Sequence, residues 1–137
     1  GPDISMDYID GFMSTSRARK LRPILEMLVA DPSLVTNEMV EDVLKFKRLD
    51  GVEAALNRIS SATFAGGRQA LQLTDKLGAL RVPVQVIWGA QDRIVPARHG
   101  EGLPAAIKVA LLADAGHLAH MEKANEVNEL IKGIVAE

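Results

Sequence analysis

From Val82 onward the apolar residues stop recurring at helical spacing and begin to read as strands, and that change limits the folds open to this chain. "VPVQVIW" is short, β-branched and bounded by Pro83 and Gly89, and "IKVALL" at 107–112 has the same texture. Ala97 to Leu103 leaves room for a helix of about two turns between them. After a turn containing His117, the residues Val127, Leu130, Ile131 and Ile134 make one face of a final amphipathic helix. Strand, short helix, strand, helix predicts an α/β fold with a βαβα tail, whose crossover favours a parallel pair with a right-handed connection.

A parallel pair also fixes where chemistry can gather. The carboxyl ends of neighbouring parallel strands lie on one edge, so side chains in the two following turns can meet there. Asp92 follows the first strand in "VIWGAQDRIVP", and His117 follows the second in "DAGHLAHME". A carboxylate that accepts from imidazole Nδ1 fixes the tautomer, steadies the imidazolium and leaves Nε2 as a general base. Taken singly, each residue has a plainer role. An Asp in such a turn commonly bonds its own backbone, and a lone His is more often structural. Trp88, at the end of the first strand, either lines a substrate pocket or packs in the core. His120 could join His117 on a metal, but no third ligand stands at a useful spacing, so an exposed first-turn histidine and no metal are expected. His99 is expected at the surface. Glu122 is expected in the first turn of the last helix, where its charge suits the helix dipole.

The first 80 residues are expected to be helical. Leu21, Ile24, Leu25 and Leu28 step by three and four, as do Met39, Val40, Val43 and Leu44. Asp31-Pro32 is expected to stop the first helix and Thr36 to cap the second. Pro23 either opens the first helix or splits it from a preceding one. Gly51 should break the second helix, a shorter helix should run through Leu56, and Gly66-Gly67 should precede a helical run from Gln69 to Leu77. The resulting division is a helical segment over 1–80, serving as packing or as a lid over a pocket, and a βαβα part over 81–137.

Composition excludes several classes. At 137 residues and 47% hydrophobic content the chain suits one globular domain. A net charge of −2 with both signs interspersed makes nucleic acid and membrane surfaces poor partners. The absence of cysteine removes disulfides and thiolate metal sites. With no signal-peptide profile and no apolar run near the roughly 18 residues of a membrane span, a soluble cytoplasmic protein is expected. Gly1-Pro2 reads either as a protease-site remnant or as native chain.

"PVQVIWGAQDRIVP" followed by "LLADAGHLAHME" resembles the C-terminal part of the α/β-hydrolase fold: strand, Gly-x-x-Asp, x-x-Pro, then strand, Gly-His and helix. The resemblance implies that Asp92 is the triad acid, His117 the triad base and the preceding helices a cap inserted ahead of the acid-bearing strand. "GPDISMDYIDGF", "LVTNEMVEDVLKFKRLDGV" and "FAGGRQALQL" are similar to the cap of the hydrolase-like domain in dihydrolipoyl acetyltransferase components of bacterial acetoin-cleaving dehydrogenase complexes. That similarity implies a lipoyl group and coenzyme A for the parent protein, a small acyl (thio)ester substrate, and dehydrogenase-complex partners; no cofactor is expected in this chain. The pattern is broken at one point. No Gly-x-Ser-x-Gly occurs, and Ser5, Ser14, Ser16, Ser33, Ser60 and Ser61 all lie in the cap segment or its joints. The expected function is therefore a C-terminal fragment of an acyltransferase, carrying acid and histidine without the nucleophile and inactive alone. A fragment of a carboxylic-ester or carbon–carbon bond hydrolase and a non-catalytic interaction module are the alternatives. An uncovered sheet edge also predicts a homo-oligomer.

Overall fold

The computed structural model describes residues 2–135. Five helices come first: α1 (Met6–Ser14), α2 (Ala18–Glu26), α3 (Asn37–Lys47), α4 (Val52–Thr63) and the single turn α5 (Thr74–Leu77). Strand β1 (Val84–Gly89), a 3-10 turn at Ala97–Gly100, strand β2 (Ile107–Leu112), the short α6 (Ala119–Glu122) and α7 (Ala124–Val135) complete the chain. The expected strand–helix alternation is present, with the middle helix reduced to the 3-10 turn.

Local chemistry explains most boundaries. Ser5 Oγ accepts from the Tyr8 N–H at 3.2 Å and opens α1, and Thr36 Oγ1 accepts from the Met39 N–H at 3.1 Å and opens α3, as its sequence predicts. Gly51 sits at φ +80° ahead of α4, a left-handed conformation that glycine adopts without steric cost. Pro23 neither opens nor splits a helix; it lies inside α2. Helix α2, expected to run to the Asp31-Pro32 signal, stops five residues earlier at Glu26, and Asp31 instead caps a 3-10 turn by accepting from the Ser33 N–H at 2.9 Å.

Two expected helices change length. Nothing between Leu56 and Thr63 breaks a helix, so α4 continues through Thr63 rather than ending near Leu56. The run expected from Gln69 shrinks to α5; Arg68 is in an extended conformation, and the residues that follow it cross back to earlier parts of the chain. Gln69 N–H donates to Pro2 O and Ala70 N–H to Thr63 O, both at 2.8 Å.

Packing follows the apolar stripes. Leu21 and Leu25 of α2 join Val29, Val35, Val40 and Leu44 in one buried cluster, and Leu118 from the far end of the chain packs against it. Leu112, Ala115, Ala119 and Val127 form a second cluster, with Ile87 and Leu130 beside it, holding α6 and α7 against one face of the sheet. The strands are parallel, registered from Val84 opposite Ile107 to Gly89 opposite Leu112. They therefore end level, and their following turns start side by side. Val109 and Leu111 remain exposed on the other face. Among the described residues no helix is long and apolar enough to cross a membrane.

Candidate active site

Asp92 and His117 meet above the level strand ends. Asp92 Oδ1 accepts from the N–H groups of Ile94 at 2.8 Å and Val95 at 2.9 Å, the self-bonded turn that a lone Asp makes. Oδ2 is turned the other way, 2.9 Å from His117 Nδ1 and 3.1 Å from Trp88 Nε1. The turn role and the acid role thus fall on different oxygens of one carboxylate. Its side chain is 4% exposed, against 36% for His117. An ionised carboxylate only accepts, so Nδ1 is the donor and carries the ring's proton, and the lone pair belongs to Nε2. The arrangement can take a proton from a group in front of the ring and hold the resulting imidazolium.

Gly89 lets the two turns approach this closely, and Gly116 lets the second turn lie against the segment after α2. A Cβ on Gly89 would stand 2.0 Å from Gly116 O and 2.4 Å from Ala115 O. A Cβ on Gly116 would stand 2.8 Å from the Val29 carbonyl carbon and 2.9 Å from Ala30 N. Neither site has room for a side chain, because backbone faces backbone. The turns are also hydrogen-bonded to each other: Ala90 N–H donates to Leu112 O and Gln91 N–H to Ala115 O, both at 2.9 Å.

The segment after α2 ties both turns to the helices. Arg93, next to the acid, donates to Glu26 O at 2.6 Å and Val29 O at 2.9 Å, placing a cation on the carbonyl end of α2. Leu118, next to the histidine, donates its N–H to Leu28 O at 3.1 Å. Glu122 closes the link: Oε1 accepts from the Gly116 N–H at 2.8 Å and Oε2 from the Ala30 N–H at 2.6 Å. Glu122 thus ends α6 as a two-handed acceptor, and its expected place in the first turn of the long last helix is corrected. Sequence reasoning missed this role because Ala30 is 92 residues away. Glu122→Gln keeps the size but offers one acceptor oxygen and sets an NH₂ against a backbone N–H. It should cost about 1–3 kcal/mol in chemical denaturation, the scale of a half-buried donor left without its charged partner.

His99 is not a surface residue. Its side chain is 6% exposed, its ring meets Trp88 edge-on with centroids 6.3 Å apart, and its buried Nε2 has no hydrogen-bond partner among the described residues. The nearest carboxylate, Asp3, stands 3.6 Å from Nε2, too far for a hydrogen bond, and is itself paired with Arg98 at 2.6 Å. The ring lies against Trp88 and shares a cavity wall with Val86 and Val95, a placement that local sequence around an "ARHG" turn does not signal. Trp88 lines a cavity of about 310 Å³ with these residues, and neither Asp92 nor His117 belongs to its wall. His120 is exposed in α6. Among the described residues no group of three or more His, Asp or Glu side chains is placed to hold a metal ion.

The Asp92 environment also makes the fold acid-sensitive. Burial pushes its carboxyl up, but the His117 hydrogen bond, the Val95 and Ile94 N–H groups and the His117 charge outweigh it and hold the group below 3.8. A depressed carboxyl contributes stability above its unfolded value, and that contribution is lost as pH falls through the folded one. Asp92→Asn should therefore be less stable than the parent at neutral pH, with the gap closing below about pH 4 in urea titrations followed across pH. A gap independent of pH would contradict the ionised role of Asp92.

Comparison with known proteins finds similarity along nearly the whole chain. The dihydrolipoyllysine-residue acetyltransferase component of the acetoin cleaving system of Cupriavidus necator is 44% identical over 132 residues, which is 96% of this chain and 35% of that protein. A 2-hydroxy-6-oxononadienedioate/2-hydroxy-6-oxononatrienedioate hydrolase of a Pseudomonas species is 27% identical over 98% of this chain and 48% of its own length. The solved structure of a meta-cleavage product hydrolase from Pseudomonas fluorescens superposes with a TM-score of 0.79 at 21% identity, covering 98% of this chain and 51% of that one. No family model matches. The chain spans about a third of the length of the acetyltransferase components and about half that of the hydrolases.

Proposed function

Since the chain belongs to the α/β-hydrolase fold, we propose that it supplies the acid and the histidine of a catalytic triad whose nucleophile lies outside these residues. The observation that carries the reading is the Asp92 Oδ2 to His117 Nδ1 contact at 2.9 Å, made by a carboxylate that is already satisfied on its other oxygen. In acyl transfer, His117 Nε2 would take the proton of the attacking hydroxyl and return it to the leaving group, while Asp92 stabilises the cation formed between the two steps. Among the described residues no serine stands on a strand-to-helix elbow, so we expect no turnover from this chain alone.

The 44% identity over 96% of the chain favours an acetyltransferase component of an acetoin-cleaving system as the parent protein. On this reading a lipoyl group and coenzyme A serve the parent protein, the substrate is a small acyl thioester, and the partners are other components of a dehydrogenase complex. The similarity to ring-fission product hydrolases keeps carbon–carbon bond hydrolysis as the second reading. We also propose self-association, because among the described residues the sheet has two strands, so each strand has one side without a neighbouring strand.

A chimera tests the function. This chain replaces the matching segment of the Cupriavidus necator protein, and acetyl transfer from S-acetyldihydrolipoamide to coenzyme A is assayed beside hydrolysis of a dienoic ring-fission product. Transfer that disappears on His117→Ala supports the first reading, and His117-dependent hydrolysis of the dienoate alone supports the second. Activity indifferent to His117 contradicts both.

A further inference from the structure

The Trp88 indole N–H lies 3.1 Å from Asp92 Oδ2 and 3.1 Å from Val95 O. Oδ2 is the oxygen that also accepts from His117 Nδ1. The ring itself meets His99 edge-on, and the cavity it lines contains neither member of the acid–base pair. Its N–H therefore serves the acid, and its ring faces another part of the molecule.

We propose that Trp88 is a positioning residue of this site, whose N–H anchors the Asp92 oxygen facing His117 and draws negative charge from it, and is not a wall of the substrate pocket. This rests on the acid–base reading of Asp92 and His117. The carboxylate torsion of Asp is intrinsically broad, so its orientation has to come from donors. Two backbone N–H groups hold Oδ1, and the indole and the imidazole hold Oδ2. By also reaching Val95 O, the indole closes the same turn whose Val95 N–H holds Oδ1. At 4% exposure little water is available to replace a lost donor.

The other charged groups around the pair keep their partners whether or not the indole N–H is present. Arg93 is bonded to the Glu26 and Val29 carbonyls, Glu122 to the Gly116 and Ala30 N–H groups, and Asp114 to the Gln91 amide. His99 touches the Trp88 ring, so the N–H is best deleted without changing the ring's shape.

The test follows the Asp92 carboxyl carbon by NMR across pH. Trp88 is the only tryptophan, so biosynthetic incorporation of benzothienylalanine removes one N–H while keeping the bicyclic shape. Trp88→Phe and His117→Ala are measured beside it. The Asp92 midpoint should rise by roughly half a pH unit or more in the benzothienyl protein and in Trp88→Phe, the scale of one lost donor to a carboxylate. Were Trp88→Phe to misfold, the benzothienyl protein decides. An unchanged midpoint in that folded protein overturns the positioning role, whereas an unchanged midpoint in His117→Ala overturns the acid–base pair beneath it.

Discussion

Gly89→Ala is expected to lower the melting temperature by about 10 °C or more, or to prevent folding. The added methyl would stand 2.0 Å from Gly116 O and 2.4 Å from Ala115 O, and both obstacles are backbone. Neither can retreat freely. Moving Ala115 O breaks its bond from the Gln91 N–H, and moving Gly116 strains the N–H held by Glu122. Overpacking against atoms that cannot rotate away sits at the upper end of its range, about 3 kcal/mol or more. That is a large share of the roughly 5–15 kcal/mol that holds a domain folded. Gly51→Ala is the control: its φ of +80° strains an alanine, but nothing lies within 4 Å of the new atom. Its cost should stay near 1–2 kcal/mol, the left-handed backbone alone. Equal melting curves for the two variants would mean that the two turns are not packed backbone to backbone.

The second large effect concerns chemistry. In the chimera described above, Asp92→Asn is expected to lower kcat by roughly 10³–10⁴-fold with little change in KM, as loss of the acid's tautomer control does in triads. The direction follows from the donors around the side chain. The asparagine oxygen must keep accepting from the Ile94 and Val95 N–H groups, which puts its NH₂ in the place of Oδ2. That NH₂ then meets the Trp88 N–H and His117 Nδ1. His117 can answer only by accepting at Nδ1, which moves its proton to Nε2 and removes the base. A variant within tenfold of the parent would show that Asp92 does not set the tautomer.

The parts legible in the sequence are those governed by local pattern. Strand β2 occupies the "IKVALL" run residue for residue, β1 the "VPVQVIW" run less its first two residues and extended by Gly89, and Thr36 caps α3. The meeting of Asp92 with His117 was readable because parallel pairing turns a sequence pattern into a place, the common edge where both strands end. What escaped depends on distant partners. Gln69 and Ala70 are not helical and their N–H groups bond the distant Pro2 and Thr63 carbonyls, and the His99 ring is buried against Trp88. Glu122 sits in the "GHLAHME" run that drew attention to His117, yet half of its role lies at Ala30 on the far side of the helical segment. Arg93 was overlooked for the same reason, since its acceptors are carbonyls more than 60 residues earlier.

Histidine nitrogen NMR on this chain at neutral pH, beside Asp92→Ala, tests the acid–base pair most directly. The account predicts that neutral His117 carries its proton on Nδ1, hydrogen-bonded and slow to exchange, with Nε2 bare, and that Asp92→Ala abolishes that preference. A His117 ring protonated at Nε2, or one whose signals ignore the loss of Asp92, would contradict it.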